Sequence, residues 1–235
     1  MELYAGLYER EDFIFNGREA VVVSPKNPRA DKRYVWRTEF LGAFDSADRE
    51  MLGRGYYLVH YKVSNMYGCP ESVELMHKFH LHLIEKYGFP KTAIMFGFSR
   101  GGLYAVNYAA AYPEYTSLLY LDAPVMDIRS WPAGYGKGIG APKEWEECKG
   151  WYGIDEESAR SFSQNPNDKA DLIKDIPVII VAGLADTTVP YDENGAVFEK
   201  RFKGTLKTIL KPDCEHHPHS LSDPKEICDF IESNI

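Results

Sequence analysis

The sequence predicts an α/β protein in which a mainly parallel sheet is covered by helices on both faces. Three observations carry that prediction. Short apolar runs alternate with segments of helical periodicity along most of the chain, which calls for crossover connections and hence for parallel strands. One of these runs ends in a glycine-rich turn, Gly97-Phe98-Ser99-Arg100-Gly101-Gly102, and leads straight into an apolar helical segment. The 235 residues also fit one domain, since single hydrophobic cores stop growing only at about 250–300 residues.

Taken in order, residues 12–15 and 19–24 read as short strands, the second rich in Val and ended by Pro25. A polar loop fills 26–33. Residues 34–40 are again strand-like, and 46–54 suit a short helix that ends at Gly55, where a left-handed conformation costs glycine little. The next strand covers 56–63. Over 71–87, Met76, Phe79, Leu83 and Tyr87 recur at spacings of three and four, which sets one apolar stripe on a helix. His77, His80 and His82 on that helix read as partly exposed side chains rather than metal ligands, for want of further partners on one face. A buried strand at 92–98 and a buried helix at 103–112 flank the glycine-rich turn. Further buried strands at 118–121, 177–182 and 206–210 lead to a closing helix at 224–233. Residues 126–174 break this rhythm. They are rich in Gly, Trp, Tyr and Pro and hold no strand pattern, so they read as a small cap inserted into a single domain spanning 1–235.

Composition excludes several classes. With 44% hydrophobic and 26% charged residues the chain is globular rather than disordered. A formal charge of -8 with no basic cluster argues against a nucleic-acid partner. No run reaches transmembrane length, and the acidic residues among the first 17 do not fit a secretory signal, so no membrane partner is expected. Cys69, Cys148, Cys214 and Cys228 lie far apart without C-x-x-C spacing. That fits reduced thiols in the cytoplasm better than a disulfide framework or a zinc site. The sequence carries no signal of oligomeric state.

The chemistry centres on Ser99. The pentapeptide from Gly97 to Gly101 matches G-x-S-x-G, and it stands between a strand and a helix, the context that gives the motif meaning. A serine hydroxyl is a poor nucleophile near neutral pH. It needs a histidine base, and the histidine needs a carboxylate to hold its tautomer. With this motif the partners follow in the order Ser, acid, His. Asp186 follows the strand at 177–182, at a carboxyl end where open α/β sheets place functional groups. The only histidines beyond it are His216, His217 and His219. The run reads as carrying the base, with His216 preferred, and not as a metal site, because no second ligand cluster accompanies it. Asp122, ending the strand at 118–121, is the alternative acid. The oxyanion hole is expected to combine the backbone N–H of Arg100 with a second N–H near residues 36–39, from Arg37 or Thr38.

These residues resemble the α/β-hydrolase superfamily, close to its prolyl-oligopeptidase-like and dienelactone-hydrolase-like esterase branches, over nearly the whole chain. The most specific matches are the segment from Gly97 to Gly102, the Gly-x-x-Asp-x-x-Val-Pro pattern from Gly183 to Pro190, and His216-His217-Pro218-His219. In relatives the base commonly follows a glycine, whereas Glu215 stands there in this chain. The resemblance implies a serine hydrolase acting on carboxylic esters through Ser99, Asp186 and His216, with no metal or organic cofactor and a small-molecule ester as its partner. A small-peptide peptidase or amidase, and a non-catalytic ligand-binding protein, are the competing readings. In the cap, Trp131, Trp145 and Trp151, with Tyr135 and Tyr152, are expected to line one wall of the pocket. Their flat faces favour an ester of a carbohydrate or an aromatic acid over a long-chain lipid.

Overall fold

The computed structural model describes residues 3–235. Its framework is a nine-stranded sheet in the order β1-β2-β3-β5-β4-β6-β7-β8-β9. Strands β1 (Leu3–Tyr4), β2 (Tyr8–Phe15) and β3 (Arg18–Ser24) form an antiparallel edge, and β3 joins β5 (Tyr57–Tyr61) antiparallel. From β5 the sheet runs parallel through β4 (Tyr34–Arg37), β6 (Ala93–Phe98), β7 (Thr116–Asp122), β8 (Val178–Gly183) and β9 (Leu206–Lys211).

Period-two patterning gives the sheet two buried faces. In β8, Val178, Ile180 and Ala182 enter one core while Ile179 and Val181 enter the other. Alternate residues of β3 divide the same way, Ala20 and Val22 against Val21 and Val23. Burying each such Val or Ile contributes about 1.5–3 kcal/mol. The first core also receives α2 (Pro70–Tyr87) and α3 (Gly101–Ala111); α1 (Ser46–Gly53) and α7 (Lys225–Ser233) cover the second. Helix α2 starts with Pro70 in its first turn and stops at Gly88, whose φ of 65° closes it in the left-handed conformation. Gly55 is left-handed, as expected for the end of the first helix, although α1 itself stops at Gly53 and is capped by Arg54.

Two expectations on this framework need correction. The strand expected over 34–40 ends at Arg37, because the chain turns at Phe40, whose φ is 56°. His80 is not partly exposed but buried. It lies on the same face of α2 as Met76 and Leu83, and its ring nitrogens bond the Tyr34 hydroxyl and, at 2.6 Å, the Tyr108 hydroxyl. Burial pushes its pKa down to about 3. A histidine depressed in the folded state adds stability that is present above its unfolded value of about 6.5 and is lost as pH falls towards 3. The thermal unfolding midpoint is therefore expected to fall between pH 6.5 and pH 4. In His80→Gln, where the amide can meet both hydroxyls without charging, circular dichroism at the same pH values should give a shallower fall.

Residues 126–174 hold α4 (Pro142–Tyr152), α5 (Glu156–Arg160) and a 3-10 segment (Pro166–Ile173), and no strand among them. Trp145, Cys148, Ala159, Ala170 and Ile173 join the core beside α3. Polar contacts pin the insertion there: the Tyr152 hydroxyl donates to the Tyr67 carbonyl at 2.9 Å and Lys169 Nζ to Asn107 Oδ1 at 2.7 Å. Helix α6 (Gly195–Arg201) follows β8. Among the described residues no helix is long and apolar enough to cross a membrane.

Candidate active site

Ser99 stands on the turn from β6 into α3 with φ of 51°, a left-handed conformation unusual for a residue with a side chain. Neighbouring backbone holds it there. Its N–H donates to the Asp122 carbonyl at 2.9 Å, and its own carbonyl accepts from Gly102 N at 3.0 Å and Val125 N at 2.9 Å. The glycine at 97 is a packing requirement. A Cβ there would lie 2.9 Å from the Gly101 carbonyl oxygen and 3.0 Å from both Ala105 Cβ and Leu121 Cδ2, so strand and helix come close only without one.

Asp186 lies in the loop after β8. Its Oδ1 accepts from the N–H groups of Thr188 and Val189, each at 2.8 Å, which leaves Oδ2 free to face the histidine loop. Gly183 allows that loop to cross the strand end, because a Cβ on it would sit 2.2 Å from the Cys214 carbonyl oxygen. His216 Nδ1 meets Asp186 Oδ2 at 2.7 Å and its Nε2 meets Ser99 Oγ at 3.0 Å. An ionised carboxylate only accepts, so the shared proton resides on Nδ1 and Nε2 presents a lone pair to the serine hydroxyl. Ser99, His216 and Asp186 are thus brought into one hydrogen-bonded chain.

Asp122 partners a different histidine. His219 Nδ1 lies 2.9 Å from Asp122 Oδ1, while Asp122 Oδ2 accepts from Ser220 N at 2.8 Å and the Tyr120 hydroxyl at 2.6 Å. His217 is exposed and stacks on Phe44, the ring centres 5.1 Å apart. Partial desolvation of the ring, with His219 and His216 beside it, lowers its pKa.

Of the expected oxyanion donors, the Arg100 N–H sits at the start of α3 and donates to no atom among the described residues. The Arg100 guanidinium is anchored on buried Glu39, Nε to Oε2 at 2.7 Å, and Glu39 also accepts from Ser64. Thr38 and Arg37 do not supply the second donor. The Thr38 N–H is already spent on the Phe96 carbonyl at 3.0 Å. Arg37 points its carbonyl to His60 on β5 at 2.7 Å, and in a parallel strand the N–H of a residue faces the same neighbour as its carbonyl. Its side chain organises the loop instead. The fully buried guanidinium pairs with Asp48 at 2.6 Å, donates to the carbonyls of Glu39 and Ala43, and lies 3.5 Å over the Phe98 ring. What this scaffold positions is Phe40, which borders the serine and whose N–H has no acceptor among the described residues.

A cavity of about 190 Å³ opens at Ser99, lined by Phe40, Ala43, Phe44 and Phe98 together with Arg37 and the histidine run. No residue of the 126–174 insertion lines it. Trp145 is buried with its indole N–H donated to Glu156 at 2.8 Å, Trp151 borders a separate hollow with Pro70 and Phe162, and Trp131 packs towards Tyr67. The three cap tryptophans therefore do not form the expected wall. Trp145 is buried in the insertion, Trp131 is partly buried and Trp151 is exposed, and Phe40, Phe44 and Phe98 supply the aromatic lining.

No protein-family model matches the chain, and no curated protein matches it in sequence. Solved structures do match in fold. An acylaminoacyl peptidase from Pyrococcus horikoshii superposes with a TM-score of 0.72 at 15% identity, covering 97% of this chain and 42% of that one. A puromycin-hydrolyzing peptidase of Mycobacterium tuberculosis gives 0.68 at 18% identity over 96% and 37%. Est1E from Butyrivibrio proteoclasticus gives 0.66 at 17% identity over 95% and 99%. The chain spans about two fifths of the length of the two peptidases and nearly all of Est1E. Sheet order and these superpositions define the α/β-hydrolase fold.

Proposed function

We propose that the protein is a serine hydrolase that cleaves carboxylic esters with a small acyl group. The observation that carries this reading is the chain from Ser99 Oγ through His216 to Asp186, at 3.0 Å and 2.7 Å. Ser99 attacks the ester carbonyl as His216 Nε2 takes its proton, and Asp186 stabilises the imidazolium that forms. The oxyanion is held by the N–H of Arg100, at the positive end of the α3 dipole, and by the N–H of Phe40. His216 then gives its proton to the leaving alcohol, and water releases the acyl group by the same steps.

Cavity size supports the acyl preference. About 190 Å³ lies below the roughly 300–1,000 Å³ of pockets that take drug-sized ligands, so acetyl or a similarly short acid fits and a fatty acyl chain does not. Beyond Phe40 lies a larger hollow of about 610 Å³, bordered by Glu39, His60, Lys62, Ser64 and Arg100. Those polar groups suit a hydroxylated alcohol such as an acetylated sugar. Peptidases among the structural neighbours keep amide cleavage as a second reading, since the same groups attack an amide. The test is a panel of 4-nitrophenyl acetate, butyrate and palmitate, an acetylated sugar and an aminoacyl anilide, compared by kcat/KM. Acetate should exceed palmitate by roughly 10²-fold or more, at 1–3 kcal/mol for each misfitted group. Preference for palmitate would refute the acyl assignment, and preference for the anilide would make the protein a peptidase.

A further inference from the structure

We propose that His216, His217 and His219 form a transition-metal site that holds a zinc ion reversibly and switches the hydrolase off while it is bound. Among the described residues these three form a group whose ligand nitrogens all lie within 4.8 Å of one another. Their ring centres make a triangle with every side 4.9 Å.

Two of the three already have the outer partners that metal-binding histidines use. Ligating imidazoles typically donate the second ring N–H to a carboxylate, which fixes the tautomer and makes the other nitrogen a better donor. His216 Nδ1 rests on Asp186 at 2.7 Å and His219 Nδ1 on Asp122 at 2.9 Å. The Nε2 atoms of both rings are therefore lone-pair donors. His219 is 93% buried, being 7% exposed. Its Nε2 has no partner among the described residues, and its ring borders the cavity at Ser99. With Nδ1 held by Asp122 and the ring bordering the cavity, the His219 lone pair lies where a metal ion entering that cavity can reach it. Esterase chemistry as proposed uses neither His217 nor His219.

Zinc–nitrogen bonds of about 2.0–2.1 Å in a tetrahedron set ligand nitrogens roughly 3.3 Å apart. The widest pair must then close by at most about 1.5 Å. Exposed His217, whose ring rests only on Phe44 and its histidine neighbours, is the member free to swing in. Three neutral imidazoles and a water complete the four positions, and imidazole donors suit zinc, copper and nickel rather than magnesium or calcium. Binding uses the His216 Nε2 lone pair that otherwise accepts the Ser99 proton, so the bond at 3.0 Å opens and no proton is lost or gained. The inhibition rests on the proposed role of His216, whereas the metal binding does not.

The experiment has two arms. Calorimetry with zinc chloride on Ser99→Ala, which cannot turn over ester, should show one ion per chain, and cobalt chloride should give the visible absorption of a tetrahedral site. His217→Ala should weaken both by about tenfold or more, His219→Gln likewise, and His82→Ala on the far helix should change neither. In the wild type, zinc should suppress hydrolysis of 4-nitrophenyl acetate with the same concentration dependence, and EDTA should restore it. His217→Ala, measured against its own metal-free rate, should need about ten times more zinc or beyond. Absence of stoichiometric binding, or affinity unchanged in both His217→Ala and His219→Gln, would overturn the site; His217→Ala is exposed and keeps the test valid if the buried variant fails to fold. Zinc binding that depends on His217 in a protein that hydrolyses no ester would uphold the site and remove the esterase reading. Hydrolysis that bound zinc leaves untouched would overturn the switch.

Discussion

His216→Ala is expected to lower kcat on 4-nitrophenyl acetate by roughly 10⁴- to 10⁶-fold, the range in which loss of a triad member removes the activated nucleophile. The fold should survive. His216 lies in a loop, partly exposed, and its side chain bonds only Ser99 and Asp186. His217→Ala, by contrast, should keep a measurable fraction of turnover, since its ring makes no hydrogen bond to either residue and rests on Phe44 and the edges of the neighbouring histidine rings. Steady-state rates of the two variants, compared after circular dichroism has established equal folding, separate the base from its neighbour. A His216→Ala protein that stays active would move the base to His217 or His219.

Asp186→Asn should cost roughly 10⁴-fold in kcat, because an amide oriented by the N–H groups of Thr188 and Val189 would turn its NH2 towards His216 and stabilise the wrong tautomer. Asp122→Asn should affect turnover far less and stability more. Asp122 is buried and accepts from His219, Ser220 and Tyr120, and an amide cannot accept at all three, which leaves a buried donor unmet at about 1–3 kcal/mol. Rates at saturating substrate together with unfolding midpoints give both quantities for each variant. The opposite ranking of the two rates would transfer the acid to the end of β7.

How legible these features were depended on whether a side chain or the backbone carries them. Strands β3, β5, β6, β7 and β8 announce themselves as apolar runs, and Ser99 is marked by glycines whose absence of Cβ is itself the structural requirement. Asp186 is readable because the Gly183 pattern encodes the crossing of the histidine loop. The proposed second oxyanion donor is a backbone N–H, which no side chain reveals, and its place depends on where β4 stops and turns at Phe40. His80 was within reach: Met76, His80 and Leu83 are spaced four and three apart on α2, so the histidine shares the apolar stripe. The cap tryptophans misled for a physical reason. An insertion of short helices must bury aromatics to become stable on its own account, and Trp145 does so in the core with its ring against Tyr135 and its indole N–H on Glu156, while the lining at Ser99 falls to the less conspicuous Phe40, Phe44 and Phe98.

The central claim is that Ser99 is an activated nucleophile, and labelling with a fluorophosphonate probe tests it most directly. The probe should modify the folded wild-type protein at one site, identified by peptide mass spectrometry as the segment containing Ser99. Labelling should vanish in Ser99→Ala and fall sharply in His216→Ala. A folded wild-type protein that takes up no label, or that labels equally well after Ser99→Ala, would contradict the claim.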